Sequence, residues 1–393
     1  MLDMERFTLW VKERLYARNE SSRRFFPHES ERLAQACRDM AARFLDGGRL
    51  LAFGRGVYAT DAQHVSVEFV HPVIVGKRAL PALDLSIAFS EWMRTIVRPE
   101  DIVMGFSPPE GDEAVEEALA FARSKGAQTF ALPGKQGDYA VSSPDKDPFV
   151  QQELIEILYH TLWETVHVFF EHRELGLEAG EASFLYPFLG TVQQDTTRVV
   201  TAVARSIEEK AKEVERLREK VADEESRQIV RAIHTLAEKM GRGGKLIVFG
   251  NGGSATDAND WALDMMLPPR GMTPYPAVSL SMEPAILSAL ANDVGTEVIF
   301  LRQLIAQAEA NDVVVAISTS GGSKNALMAL EEAKKRGLTT MALLGYDGGE
   351  VVQRGLADIP IVIRSDYIPR IQEAQASVYH IIREGLEVLN SDA

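Results

Sequence analysis

The chain has 393 residues, 46% apolar and 25% charged, with 42 Lys and Arg against 57 Asp and Glu for a formal charge of −15. That length exceeds what one core ordinarily fills, so two domains are expected, and the composition excludes wholesale disorder, a collagen-like fibre and a disulfide scaffold. The acidic balance argues against nucleic acid or membrane as a partner, and the single Cys37 permits no intramolecular disulfide and no thiolate zinc site, as expected of a cytoplasmic protein.

The predicted elements repeat along the chain. In the first copy, an amphipathic helix over about 30–45 leads into a strand at Leu50–Phe53 that ends in a glycine-rich turn. A helix follows, then strands near 80–85 and 102–106. A helix over 112–125 stops at Lys125-Gly126, a strand spans 128–132, and a long helix covers about 148–172. Residues 174–194 carry Gly, Pro and mixed character and read as a linker. Residues 195–221 read as a largely solvated helix, with packing against the other copy or another subunit as the alternative.

The second copy then runs through a helix at 224–240 and strands at 246–249, 276–281 and 313–317. A helix at 323–336, strands at 339–344 and 359–363, and a final helix at 369–389 complete it. GGRLLAFGRGVYATD (47–61) and GGKLIVFGNGGSATD (243–257) match at a constant offset of 196 residues. Gln152-Glu153 with His160 recurs as Gln372-Glu373 with His380, at the same spacing of eight. The chain is thus read as a duplicated α/β domain, 1–173 and 195–393. Strands that alternate with helices imply a parallel sheet covered on both faces.

Chemistry concentrates in two loops of the second copy. Gly250-Asn251-Gly252-Gly253-Ser254 and Ser318-Thr319-Ser320-Gly321-Gly322-Ser323 each follow a strand and open a helix. Helix N-termini, free amides and several hydroxyls suit an anion, and ligands of parallel sheets sit at the strands' carboxyl ends. Helix capping alone needs one hydroxyl, not four. The Gly-x4-Gly-Lys nucleotide loop is missing.

These loops, with Asp257, Asn292-Asp293, Arg370-Ile371-Gln372-Glu373 and His380, resemble the sugar isomerase (SIS) domain family, and within it the phosphoheptose isomerases. The resemblance covers residues 195–393 and, more weakly, 1–173. It implies two tandem SIS domains, each a flavodoxin-like parallel sheet sandwiched by helices. It also implies Asn251, Gly252, Ser254, Asn292, Asp293, Ser318, Thr319, Ser320, Ser323 and Gln372 as the sugar-phosphate-binding set.

The first copy departs from this pattern. Its second loop, Ser107-Pro108-Pro109-Glu110-Gly111-Asp112, has lost two amide donors and gained two carboxylates, so phosphate is not expected there. His64 and Glu68 share one helix face at i, i+4, and Gln152 and His160 lie two turns apart on another. Taken singly, these read as an ordinary helix pair and a core histidine. By the resemblance, His64, Glu68, Gln152 and His160 are a zinc site, and Glu68, His160 and His380 carry acid–base chemistry.

The second copy has Asp260 and Asp264 where the family has His and Glu. The shorter Asp264 withdraws its carboxylate by about 1.5 Å, and misplacement on that scale costs about a hundredfold in rate. The two copies therefore look complementary, and one composite site is expected, with drift of one copy to a structural role as the alternative.

The resemblance implies aldose–ketose isomerisation of a sugar phosphate through an enediol, with sedoheptulose 7-phosphate to heptose 7-phosphate as the branch's usual reaction. It also implies a homodimer that assembles four SIS domains. The rival readings are a non-catalytic sugar-phosphate-binding regulator or assembly factor, and an isomerase of another ketose phosphate.

Overall fold

A computed structural model of the chain describes residues 4–72, 77–175 and 196–391. Contacts gather into two units, Asn19–Glu215 and Met1–Arg18 with Arg216–Ala393. The borders thus fall inside helices α1 (Met4–Leu45) and α6 (Thr196–Glu224), whereas the expected domains met at 173–195. Most of the expected linker, residues 176–194, lies outside the described residues.

The first unit continues from α1 through β1 (Leu50–Gly54), a 3-10 turn at Gly56–Tyr58, α2 (Ala59–Val70), β2 (Ala82–Asp84), α3 (Phe89–Ile96) and β3 (Ile102–Phe106). Then come α4 (Glu113–Ser124), β4 (Gln128–Leu132), β5 (Tyr139–Ala140) and α5 (Pro148–Leu175). All strand pairings are parallel, in the order β2-β1-β3-β4-β5. Strands β1, β3 and β4 are buried along their whole length, which is why they read as continuous apolar runs. Leu50 and Ala52 of β1 enter one core and Leu51 and Phe53 the other.

The second unit runs through α7 (Ser226–Gly241), β6 (Leu246–Phe249), α8 (Gly253–Met266), β7 (Ala277–Ser279), α9 (Pro284–Asp293), α10 (Ile299–Gln307), β8 (Val313–Ser318) and α11 (Lys324–Lys335). It closes with β9 (Thr339–Gly345), α12 (Gly349–Gln353), β10 (Ile359–Ile363) and α13 (Ile368–Ser391). Its parallel sheet has the order β7-β6-β8-β9-β10, which repeats the first sheet's connectivity. In both sheets the chain turns back after the second strand to place the third on the other side of the first. Ligands of such folds bind at that switch point, outside the carboxyl ends of the strands.

Three expectations change. Helix α1 starts at Met4, not near 30, and Phe7, Val11 and Leu15 join the core of the second unit. The first copy has a counterpart of strand β10 after all, the two-residue β5, in register with Phe130 and Ala131. The helix expected to be largely solvated over 195–221 is buried along one side. Val203, Ile207, Ala211 and Val214 fill the first unit's core and Leu217 and Val221 the second's. Its Glu, Lys and Arg residues masked this face in the sequence, because several of them are themselves buried in ion pairs, such as Lys210 with Glu164.

Candidate active site

In the second unit both glycine-rich loops sit where a ligand is expected. Gly250 follows β6, and a side chain there would strike the Ser254 carbonyl oxygen, so only glycine allows the turn. Gly252 takes φ +57° to open α8. Gly250 N donates to Ser281 Oγ at 3.1 Å, which fixes the turn against the strand-β7 end. In the 318–323 loop, Gly321 N donates to Ser318 Oγ at 3.1 Å and Gly322 N to Ser320 Oγ at 3.2 Å. Ser323 is the N-cap residue of α11 but makes no side-chain capping bond, so its hydroxyl is not committed to the helix.

The two loops are clasped together. Asn251 Nδ2 donates to Asn325 Oδ1 at 3.0 Å, and Asn325 Nδ2 donates back to Asn251 Oδ1 at 2.9 Å. A cleft of about 670 Å³ opens beside the clasp, lined by Asn251, Thr296, Glu297, Ser323, Lys324 and Asn325 among others. Asn325, Thr296 and Glu297 escaped sequence reasoning. Asn292 and Asp293 are exposed at the end of α9, and Asn292 Nδ2 donates to Asp293 Oδ1 at 2.7 Å.

Two turns into α8, and on α13, lies a buried titratable group. His380 Nε2 is 3.4 Å from Asp260 Oδ2 and 3.2 Å from Asp264 Oδ2. Tyr379 Oη donates to Asp260 Oδ2 at 2.8 Å. Burial, and then the charge of Asp260, push the Asp264 carboxyl up to about 7, against the opposing pull of His380 and Arg383. Gln372, about two turns before His380 on α13, is buried, and its Oε1 has no hydrogen-bond partner among the described residues.

In the first unit the counterpart of the serine loop is closed to phosphate. Asp112 turns inward to cap α4, accepting from Ala114 N and Val115 N at 2.9 and 3.1 Å, while Arg55 Nη1 lies 3.3 Å from its other oxygen. The Glu116 carboxylate accepts from Lys135 N and Gln136 N at 2.7 and 2.8 Å, so a side chain already holds the amides of that neighbouring loop.

The first unit keeps a different constellation. His64 on α2 and His160 on α5 bring their Nε2 atoms to 3.2 Å. Burial, and then His160, hold His64 well below the usual imidazole value, so its ring is neutral at pH 7. Glu156, one turn before His160, brings a carboxylate within 4.8 Å of both ring nitrogens. Glu68 Oε1 is 3.9 Å from His64 Nε2. Gln152 Nε2 instead donates to Asp61 Oδ2 at 3.2 Å.

The structure thus joins His64 and His160 with Glu156, which sequence reasoning missed although Gln152, Glu156 and His160 form an i, i+4, i+8 series. Two nitrogens on one tetrahedral zinc, at bonds of about 2.0–2.1 Å, stand roughly 3.3 Å apart. The two imidazoles match that spacing, and the buried donor set fits a zinc-class cation. The Asp260–Asp264–His380 trio offers a second such group, richer in oxygen.

The SIS domain family matches residues 211–345. The phosphoheptose isomerase of Geotalea daltonii is 41% identical over 177 residues, which span 44% of this chain and 90% of that protein. The phosphoheptose isomerase of Pelobacter propionicus is 44% identical over 156 residues, 39% of this chain and 80% of that one. The fold of the whole chain is similar to the C-terminal domain of glucosamine-fructose-6-phosphate aminotransferase from Francisella tularensis. That match has a TM-score of 0.60 at 10% identity, over 98% of this chain and 96% of the other. The chain therefore belongs to the SIS-domain family, among the phosphoheptose isomerases, and is an isomerase.

Proposed function

We propose that the chain interconverts an aldose and a ketose phosphate, with sedoheptulose 7-phosphate to heptose 7-phosphate as the reaction its relatives' name suggests. The observation that carries this reading is the second unit's pair of clasped, glycine-opened loops, in the same unit as a buried carboxylate–imidazole pair. Ser318, Thr319, Ser320 and Ser323, with the amides of the two helix N-termini, hold the phosphate. That remote binding positions C1 and C2 of the sugar for proton transfer.

Moving a proton between C1 and C2 through an enediol needs a base, and a second group to protonate the oxygen that gains charge. On the family pattern Glu68 is the base, and His160 or His380 the partner. A second reading takes Asp264 as base and His380 as partner. It is favoured by the Asp264 carboxyl lying at about 7, the range in which a group both accepts and returns a proton at neutral pH. Gln372 is suited to bind a sugar hydroxyl through its unpaired buried oxygen.

A divalent cation held in the first unit by its buried histidines and carboxylates would polarise a carbonyl and stabilise negative charge on oxygen. We take the protein to be a cytoplasmic homodimer of this two-copy chain; among the described residues no helix is long and apolar enough to cross a membrane. The test is direct. The purified chain is incubated with sedoheptulose 7-phosphate and the sugar pool is followed by NMR. New aldose signals support the reading. Binding of the sugar phosphate without any conversion, with zinc present, would favour a non-catalytic sensor instead.

A further inference from the structure

We propose that Asn325 is a positioning residue of the sugar-phosphate site: it sets which way the Asn251 amide faces, so that Asn251 offers the bound anion an N–H rather than its oxygen. The proposal rests on the reading of the 250–254 and 318–323 loops as the phosphate site, and it adds a residue to that site. The two loops follow β6 and β8, which are neighbours in the sheet. The crevice between such loops is the switch point where ligands of these sheets bind. Asn251 from one loop and Asn325 from the first turn of α11 meet there through their reciprocal bonds of 3.0 and 2.9 Å.

A ring of two side-chain amides closes equally well with both turned over, so the pair alone fixes neither. The helix breaks the tie. Ala326 N is one of the α11 amides that lack a partner within the helix, and it donates to Asn325 Oδ1 at 2.9 Å. Only an oxygen can accept there, so Asn325 has one orientation, and its Nδ2 then requires the Asn251 oxygen opposite. The Asn251 Nδ2 keeps a second hydrogen that no group among the described residues takes up. An anion accepts from an N–H and is repelled by a carbonyl oxygen, so the orientation bears directly on phosphate binding. The first unit lacks the device. Arg55 and Ala114 stand in place of Asn251 and Asn325, and Arg55 lies 3.3 Å from Asp112 instead.

The full-length chain is titrated with inorganic phosphate and with sedoheptulose 7-phosphate by calorimetry. Asn251→Ala and Asn325→Ala should each weaken both ligands about fivefold or more. Asn325→Ala added to Asn251→Ala should cost less than about twofold further, because a residue that acts through Asn251 has nothing left to position. Wild-type affinity in Asn325→Ala, or losses that simply add in the double variant, overturns the proposal. Circular dichroism checks that each variant is folded. If Asn325→Ala is not, Asn325→Ser takes its place in the same cycle, since it keeps an acceptor for the Ala326 amide but has no amide for Asn251. A wild type that binds neither ligand overturns this proposal and the phosphate-site reading together. These readouts do not need turnover. A chain that shows the coupling yet converts no sugar phosphate would sink the isomerase reading and leave this one standing, whereas additive losses in a chain that does convert it would do the reverse.

Discussion

His380 Nε2 lies 3.2 Å from Asp264 Oδ2, with both side chains buried and Asp260 on the other side of the ring at 3.4 Å. Burial, and then the charge of Asp260, raise the Asp264 carboxyl to about 7. A carboxyl raised above its unfolded value contributes stability that is complete below the unfolded pKa and is lost as pH rises through the folded one. The metal-free chain should therefore lose stability between about pH 4 and 7. Asp264→Asn, which stays neutral, should flatten that loss; thermal midpoints at pH 5 and pH 8 check it.

The identity of the base separates the two mechanistic readings. If Glu68 is the base, Glu68→Gln should lower kcat by about a hundredfold or more and leave KM nearly unchanged, as when a transition-state interaction alone is removed. Asp264→Asn should then cost much less. The reverse ranking, together with loss of a kcat limb near pH 7 in Asp264→Asn, would assign proton transfer to Asp264.

The proposed function confines phosphate anchoring to the second copy. Ser320→Ala combined with Ser323→Ala should raise KM about tenfold or more, since hydrogen bonds to a charged group contribute about 1.5–3 kcal/mol each. Substitutions in the 107–112 loop, such as Glu110→Ala, should leave KM within about twofold. Steady-state kinetics with inorganic phosphate as a competing ligand measures both.

Arg14 and Arg18 anchor the start of the chain to α13. Arg14 Nε and Nη2 meet the Glu384 carboxylate at 2.7 and 2.9 Å, and the buried Arg18 Nη2 meets it at 3.0 Å. Burial alone would raise Glu384, but Arg18 and Arg14 outweigh it and hold the carboxyl below its usual value. Its stabilising effect is present above the ordinary carboxylate range and is lost as pH falls through the folded pKa. Glu384→Gln leaves Arg18 buried beside a neutral amide and should cost about 3–5 kcal/mol at pH 7, with a smaller deficit at pH 3. Denaturant unfolding at the two pH values reads this.

Assembly is tested by mass. Light scattering at micromolar concentration should give twice the chain mass of 43.4 kDa. A strict monomer would contradict the expected four-domain assembly.

Much of this protein is determined locally. The match between Gly47–Asp61 and Gly243–Asp257 announced two copies, and the two sheets share one strand order. Ile102–Phe106, Gln128–Leu132, Leu246–Phe249 and Ile359–Ile363 form strands as read, because a strand buried on both faces shows itself as an apolar run between turns. The serine loop was legible for a similar reason. The phosphate binding proposed for it rests on consecutive hydroxyls and amides, where the other copy has two prolines and two carboxylates.

What tertiary structure decided is everything that depends on a distant partner. The charged residues of α6 hid its buried face, because Lys210 reads as solvated until Glu164 is brought to it from α5. The borders of the two units fall inside α1 and α6, since continuous helices carry no mark in sequence of where their contacts change partner. The i, i+4, i+8 series of α5 placed Gln152, Glu156 and His160 on one face, but only the level at which α2 crosses that face turned Gln152 to Asp61 and left Glu156 beside His64 and His160. Sequence spacing sets which side chains share a helix face. Which of them meets a neighbour depends on the height and angle of helix packing, and those follow from the whole core.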